Sequence, residues 1–135
     1  MRRTDALLLP DGSPLRTVGD AAALLGKGLE AAPIEWLRLA HLDNEGRLIA
    51  LTQQTGGHHT LPLGLRHIVG QAFAHGSRRL LIAHNHPSGD PNPSRADFDG
   101  TRRLAELLRP LEIALVDHLV FARGGVTSFR QLGLL

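Results

Sequence analysis

Apolar positions change period along this chain, and the changes mark its elements. From Ile34 to Leu42 apolar and polar residues alternate, as in a half-buried strand. Asp43-Asn44-Glu45-Gly46 then reads as a hairpin loop, with Arg47 to Thr52 as the return strand. From Leu63 to His75 the period becomes helical. Leu65, Ile68, Val69, Ala72 and Phe73 fall on one face and predict a buried stripe, ended by Gly76. Arg79 to Ala83 is an apolar run of strand length. A second main helix is expected from Arg95 to Leu108, broken by Pro110, with Asp97, Thr101, Leu104 and Leu108 along one line. Leu111 to Val116 and Leu119 to Ala122 read as strand, Arg123-Gly124-Gly125 as a hairpin turn, and Val126 to Phe129 as its return. Upstream, Thr17-Val18-Gly19-Asp20 has the form of a capping box opening a short helix through Leu25, stopped at Gly26 and Gly28. Met1 to Pro14, with two prolines and an Asp11-Gly12 turn signal, reads as an irregular arm. The organisation predicted is an arm and short helix over 1–32 and one α/β or α+β domain over 33–135.

Composition changes this picture in few places. A chain of 135 residues fits one domain, and at that size roughly two thirds of the unfolded surface is buried. Cysteine is absent, which removes disulfides, thiolate metal sites and cysteine nucleophiles. It also removes the zinc deaminases, which need a Pro-Cys-x-x-Cys pair beside His-x-Glu. Net charge is +2, and adjacent basic pairs occur only at Arg2-Arg3, Arg78-Arg79 and Arg102-Arg103. The aromatics are Trp36, Phe73, Phe98, Phe121 and Phe129, too few for a stacking platform. Tight binding of nucleic acid is not expected. The apolar run Ala6 to Leu9 before Pro10 is too short for a secretory signal, and no run reaches membrane-spanning length. The expected location is the cytoplasm, with no membrane partner.

The candidate chemistry lies between Ala83 and Asp97. Alternate side chains of an extended chain point the same way, so His84 and His86 share one face at a strand end. A loop rich in Pro and Gly turns the chain, and Ser94 opens the next helix with Asp97 in its first turn. Two imidazoles and a carboxylate can converge there. Three ligands with a fourth position left for water is the arrangement of a catalytic zinc site. Each residue also has a plainer use: a strand-end histidine is ordinarily packed or solvated, and Ser-x-x-Asp caps helices. The conjunction at fixed spacing favours the metal site. His58 and His59 point opposite ways in extended chain and read as loop histidines, with a place on a groove rim left open. His67 and His75 read as exposed. Asp90 and Asp99 lack the required spacing. Asp117-His118 interrupts apolar sequence either as a polar strand pair with one residue on each face or as support behind a metal ligand.

His84-x-His86-Pro87 followed by Ser94-x-x-Asp97 resembles the signature of the JAMM (MPN-plus, or JAB-domain) metalloproteases. The longer string His84-Asn85-His86-Pro87-Ser88-Gly89-Asp90, with Pro93-Ser94-Arg95-Ala96-Asp97, is similar to the RadC branch of that superfamily. The similarity runs from about Glu35 to the C-terminal segment Ser128 to Leu135. It implies a mainly antiparallel curved sheet flanked by helices, similar to the cytidine-deaminase-like folds. It implies Zn2+ held by His84, His86 and Asp97, with Glu35 as the catalytic acid/base. Glu45, the rival carboxylate, falls in the hairpin loop. Ser94 is then placed to donate to an oxyanion besides capping its helix, and Asp117-His118 matches the RadC pattern as support for a ligand. The implied activity is hydrolysis of a peptide or isopeptide bond in a peptide or protein substrate. A second reading is a DNA-repair-associated accessory protein with a structural metal site. Glu35 separates the two, because a structural site needs no base. A nuclease fits less well, since phosphodiester sites more often gather several carboxylates around two metals. Family members usually carry an N-terminal helix-hairpin-helix DNA-binding region, which a chain this short is expected to lack. The sequence specifies no oligomeric state.

Overall fold

The computed structural model of the protein describes residues 2–3, 15, 17–55 and 60–135. In chain order the elements are strand β1 (Arg2–Arg3), helix α1 (Val18–Leu25), and strands β2 (Trp36–Leu42) and β3 (Leu48–Thr55). Helix α2 (Thr60–Ala74), strand β4 (Arg79–Asn85) and helix α3 (Arg95–Leu108) follow. A 3-10 turn (Arg109–Leu111) leads into strands β5 (Ala114–Ala122) and β6 (Gly125–Ser128). The strands form one sheet in the order β1-β3-β2-β4-β5-β6. Neighbours are antiparallel except β4 and β5, which are parallel. Parallel neighbours need a crossover, and α3 supplies it. The mainly antiparallel sheet flanked by helices is the α/β architecture expected.

Local chemistry sets the element ends. Thr17 Oγ1 accepts from the Asp20 amide at 3.0 Å, and the Asp20 carboxylate accepts from the Thr17 amide at 3.3 Å. That capping box starts α1. In the β2–β3 loop, Asp43 Oδ1 accepts from the amides of Glu45 and Arg47 at 2.8 and 2.9 Å. Gly46 closes the turn at φ 85°, where a side chain would be strained.

Alternation then sorts the two faces of the sheet. Leu37, Leu39, Leu80 and Ile82 point to one, where Ile68 and Ala72 of α2 and Leu104 and Leu108 of α3 close a core. Ala40, Leu42, Leu81, Ala83, Leu119 and Phe121 form the other, covered by Leu24 and Leu25 of α1 and by Leu29. Burying one leucine fully contributes about 1.5–3 kcal/mol, so three leucines anchor a helix too short to persist alone. Arg38 adds a polar tie. It donates to the carbonyls of Leu25 and Lys27, both at 2.8 Å.

Some expectations change. Arg2–Arg3, within the stretch read as an irregular arm, pairs antiparallel with β3, Arg2 opposite Gln53. Helix α2 begins at Thr60 and not after Pro62, because proline in a first turn lacks only an N–H that has no helical partner. Phe73, expected in the buried stripe, is 69% exposed. The stripe centres on Ile68 and Ala72, and Phe73 lies one position around the helix. Leu111 belongs to the 3-10 turn, and β5 runs unbroken through Asp117-His118 with a register irregularity beside Leu80 and Leu81. His58 and His59 lie outside the described residues. No helix among the described residues is long and apolar enough to cross a membrane.

The sequence pattern gave no special place to His41, which is fully buried in β2. Its ring nitrogens lie 2.8 Å from Ser77 Oγ and 3.1 Å from Thr52 Oγ1, and its ring centroid lies 4.6 Å from that of the half-buried His75, the planes tilted by 34°. Burial first, and the nearby His75 second, lower its pKa from 6.5 to about 4. The folded state therefore favours neutral His41, and the unfolded chain takes up the proton first as pH falls. This group leaves stability unchanged above pH 6.5 and removes roughly 3 kcal/mol as pH drops from 6.5 to 4. Urea unfolding at intervals across that window is expected to show the loss, and His41→Gln is expected to reduce the slope. Equal slopes in the two proteins would assign the loss to other groups.

Candidate metal centre

Strand β4 lies between β2 and β5, and its end carries the site. His84 is opposite Leu37 of β2 and beside Val120 of β5. Its side chain shares the α2–α3 face with Leu80 and Ile82. His86 lies just past the strand, held to β5 by its amide, which donates to the Phe121 carbonyl at 2.8 Å. A turn follows in which the Gly89 amide donates to the His86 carbonyl at 3.0 Å. Gly89 adopts φ 95°, a conformation that favours glycine. The Asp90 carbonyl thereby returns to within 2.8 Å of His86 Nδ1. At the start of α3, Ser94 Oγ accepts from the Asp97 amide at 3.0 Å and Asp97 Oδ2 accepts from the Ser94 amide at 2.9 Å. The same Oδ2 faces His86 Nε2 at 3.1 Å and His84 Nε2 at 3.4 Å. Capping and metal ligation, alternatives in the sequence, are compatible in one carboxylate.

Proton bookkeeping along the hydrogen bonds fixes the donor set. Thr101 Oγ1 donates to the Asp97 carbonyl at 2.6 Å. Its one proton is committed, so it accepts from His118 Nδ1 at 2.7 Å. His118 is then bare at Nε2, where it accepts from His84 Nδ1 at 2.7 Å. His84 turns a bare Nε2 into the site. His86 reaches the same tautomer by donating from Nδ1 to the Asp90 carbonyl. Two bare nitrogens and a carboxylate oxygen thus face one another at 3.0, 3.1 and 3.4 Å. Three lone pairs at that spacing repel unless a cation lies among them. Tetrahedral ligands at about 2.0–2.1 Å from an ion stand about 3.3 Å apart, close to the separations found. His84, His86 and Asp97 can hold a metal ion.

The surrounding electrostatics suit that role. Burial pushes the Asp97 carboxyl up, but hydrogen bonding and charge from His84 whenever that ring takes up a second proton, with the Ser94 amide, outweigh it and hold Asp97 below the usual carboxylate range. It stays ionised, as a ligand must. Full burial, and then any charge that His84 takes up, keep His118 well below the ordinary histidine range. Phe129 seals it, with ring centroids 4.6 Å apart and planes 16° from parallel.

The other expected residues divide. Glu35 is half-buried and directly precedes β2. Continuing the register in which Leu37 opposes His84 puts Glu35 opposite His86, on the same face by alternation. Ser94 is exposed at the cap. Glu45 pairs with Arg47 at 3.0 Å in the solvated loop, and Asp99 pairs with Arg95 at 3.3 Å. Of Asp117-His118, only His118 touches a ligand. Asp117 instead accepts from the amides of His118 and Arg130 and from Ser128 Oγ, fastening the segment after β6. Sequence reasoning noted Thr101 only as part of a buried stripe, and it passed over Asn85. The alternation of β4 does turn Asn85 to the opposite face from its histidine neighbours, into fully buried surroundings.

A mixed sheet whose inner strand ends in His-x-His, completed by an aspartate from the cap of the crossover helix, defines a JAB-type α/β domain with a group that could hold a metal ion. The family model described as the RadC-like JAB domain matches residues 15–134. The chain belongs to that family. A UPF0758 protein of Alcanivorax borkumensis is 38% identical over 98% of this chain and 59% of its own length. One from Chloroflexus aurantiacus is 32% identical over 98% of this chain and 58% of its own. One from Symbiobacterium thermophilum is 49% identical over 52% of this chain and 30% of its own. The chain therefore spans at most about three fifths of the length of these relatives.

Proposed function

We propose that this domain is a zinc-dependent peptidase or isopeptidase of the JAMM type. The observation that supports this best is the graded exposure of the ligand set. The His84 side chain is 2% exposed, while those of Asp97 and His86 are 14% and 17% exposed. The group is closed behind and open in front, as a catalytic site with a position for water requires.

When bound, zinc supplies a Lewis acid and lowers the pKa of a coordinated water towards about 7. The protein's own residues supply the rest. His118 and the Asp90 carbonyl orient the two imidazoles, and Asp97 brings one negative charge. Glu35 takes a proton from the attacking water and delivers it to the leaving amine, base first and acid second. Ser94 Oγ accepts its cap bond through a lone pair and keeps its proton for the developing oxyanion.

The test is cleavage of a mixed peptide and isopeptide library. Metal-replete protein is expected to cut, chelated protein is expected not to, and zinc is expected to restore cutting. Cleavage that survives chelation would overturn the proposal. A library left intact by folded, metal-replete protein would favour the accessory-protein reading with a structural metal.

A further inference from the structure

Asn85 stands between His84 and His86 yet faces the opposite side of the sheet, where it is fully buried. Its side-chain bonds go to a single segment. Oδ1 accepts from the Trp36 amide at 2.7 Å, and Nδ2 donates to the carbonyls of Ile34 at 2.9 Å and Ala32 at 3.4 Å. The two shorter bonds bracket Glu35, one on each side. Residues 33–35 directly precede β2. A buried polar group left without its partner loses its solvation with nothing in return, which keeps the segment from drifting off the amide. We infer that Asn85 is a positioning residue for Glu35, fixing the backbone from Ile34 to Trp36 that carries Glu35 opposite His86 in the continued register. This rests on the reading of Glu35 as acid/base. It also couples ligand and base, because the residue that sets the base sits on the same backbone as both histidines. Displacing a reacting group by about 1 Å can cost 10²-fold in rate, so such coupling has a use.

The test uses the full chain loaded with cobalt(II), whose visible spectrum is followed against pH. A charge within reach of an ionising group moves its midpoint by about 1 pH unit or more. Glu35→Gln is therefore expected to move the spectral midpoint by about that much, and Asn85→Ala to move it in the same direction. The double variant is expected to coincide with Glu35→Gln alone, because a residue acting only through Glu35 has nothing left to act on. If Asn85→Ala shifts the midpoint equally with Gln at 35, Asn85 acts on the metal group directly and the proposal is wrong. An unmoved midpoint in Asn85→Ala, with Glu35→Gln shifted, overturns it while leaving the acid/base reading intact. An unmoved midpoint in Glu35→Gln removes both. Asn85→Ser keeps a polar group and adds no charge of its own, and serves if the alanine variant does not fold. Failure of both to fold and bind cobalt would make the amide a requirement of the fold and overturn the positioning role.

Discussion

Glu35→Gln is expected to cleave peptide or isopeptide bonds about 10²–10⁴-fold more slowly than wild type, with its metal content unchanged. The substitution keeps the size and hydrogen-bonding reach of the side chain but takes away its capacity to carry a proton. Glu35 lies opposite His86 in the continued β2–β4 register and outside the group whose donor atoms converge. Rate and metal content should therefore separate. Steady-state cleavage of a substrate drawn from the library, with elemental analysis of the same samples, makes the measurement. Undiminished cleavage would show that Glu35 is not the base. An emptied site would show that it is a ligand or that the fold needs it.

The second large effect concerns the ligands. His84→Ala with His86→Ala is expected to lower metal content from about one ion per chain to background, and Asp97→Asn to do the same. Alanine deletes a donor atom, while the amide of asparagine replaces a charged oxygen by a neutral group. Asp97→Asn also bears on the helix cap, since Oδ2 accepts from the Ser94 amide. Its thermal midpoint must therefore be measured beside its metal content. Thr101→Val leaves all three ligands in place but breaks the chain of donors that fixes the His84 tautomer. Partners of this kind typically contribute 10–100-fold to metal affinity. Competition with a coloured chelator is expected to show a loss of about that size. A Thr101→Val protein binding as tightly as wild type would show that His84 keeps its tautomer without the hydroxyl.

The ligand set was legible because it is local. A strand period of two, a turn and a capping box place His84, His86 and Asp97 relative to one another within a short stretch, and each signal is a pattern of neighbours. Helix α3 was legible for the same reason, from its stripe and its cap. What escaped depends on distant partners. Asn85 meets Trp36 across 49 residues of chain, and His41 meets Ser77 across 36. Neither asparagine nor histidine carries a local mark of such a role. The pattern at Asp117-His118 leaves open a strand pair with one residue on each face or support behind a ligand, and the structure draws on both. Adjacent strand residues face opposite sides, so one reaches His84 and the other ties down the segment after β6. Phe73 was misplaced because a five-residue apolar stripe is wider than the surface α2 presents to the sheet. Which edge of such a stripe is buried depends on the tilt of the helix, and composition does not encode it.

The ligand atoms and the candidate base belong to different pieces of the architecture. His86 and Asp97 are only eleven residues apart in the chain, on either side of the turn between β4 and α3. Glu35 stands at the entrance of another strand, directly before β2. A descendant could exchange that one carboxylate and keep its helix cap, its donor chain and its capacity for metal. Among relatives sharing this arrangement, an ion in the site would then be a poor guide to turnover. The residue that occupies the doorway to β2 would be the better diagnostic, and Asn85 beneath it the sign that the doorway is still maintained.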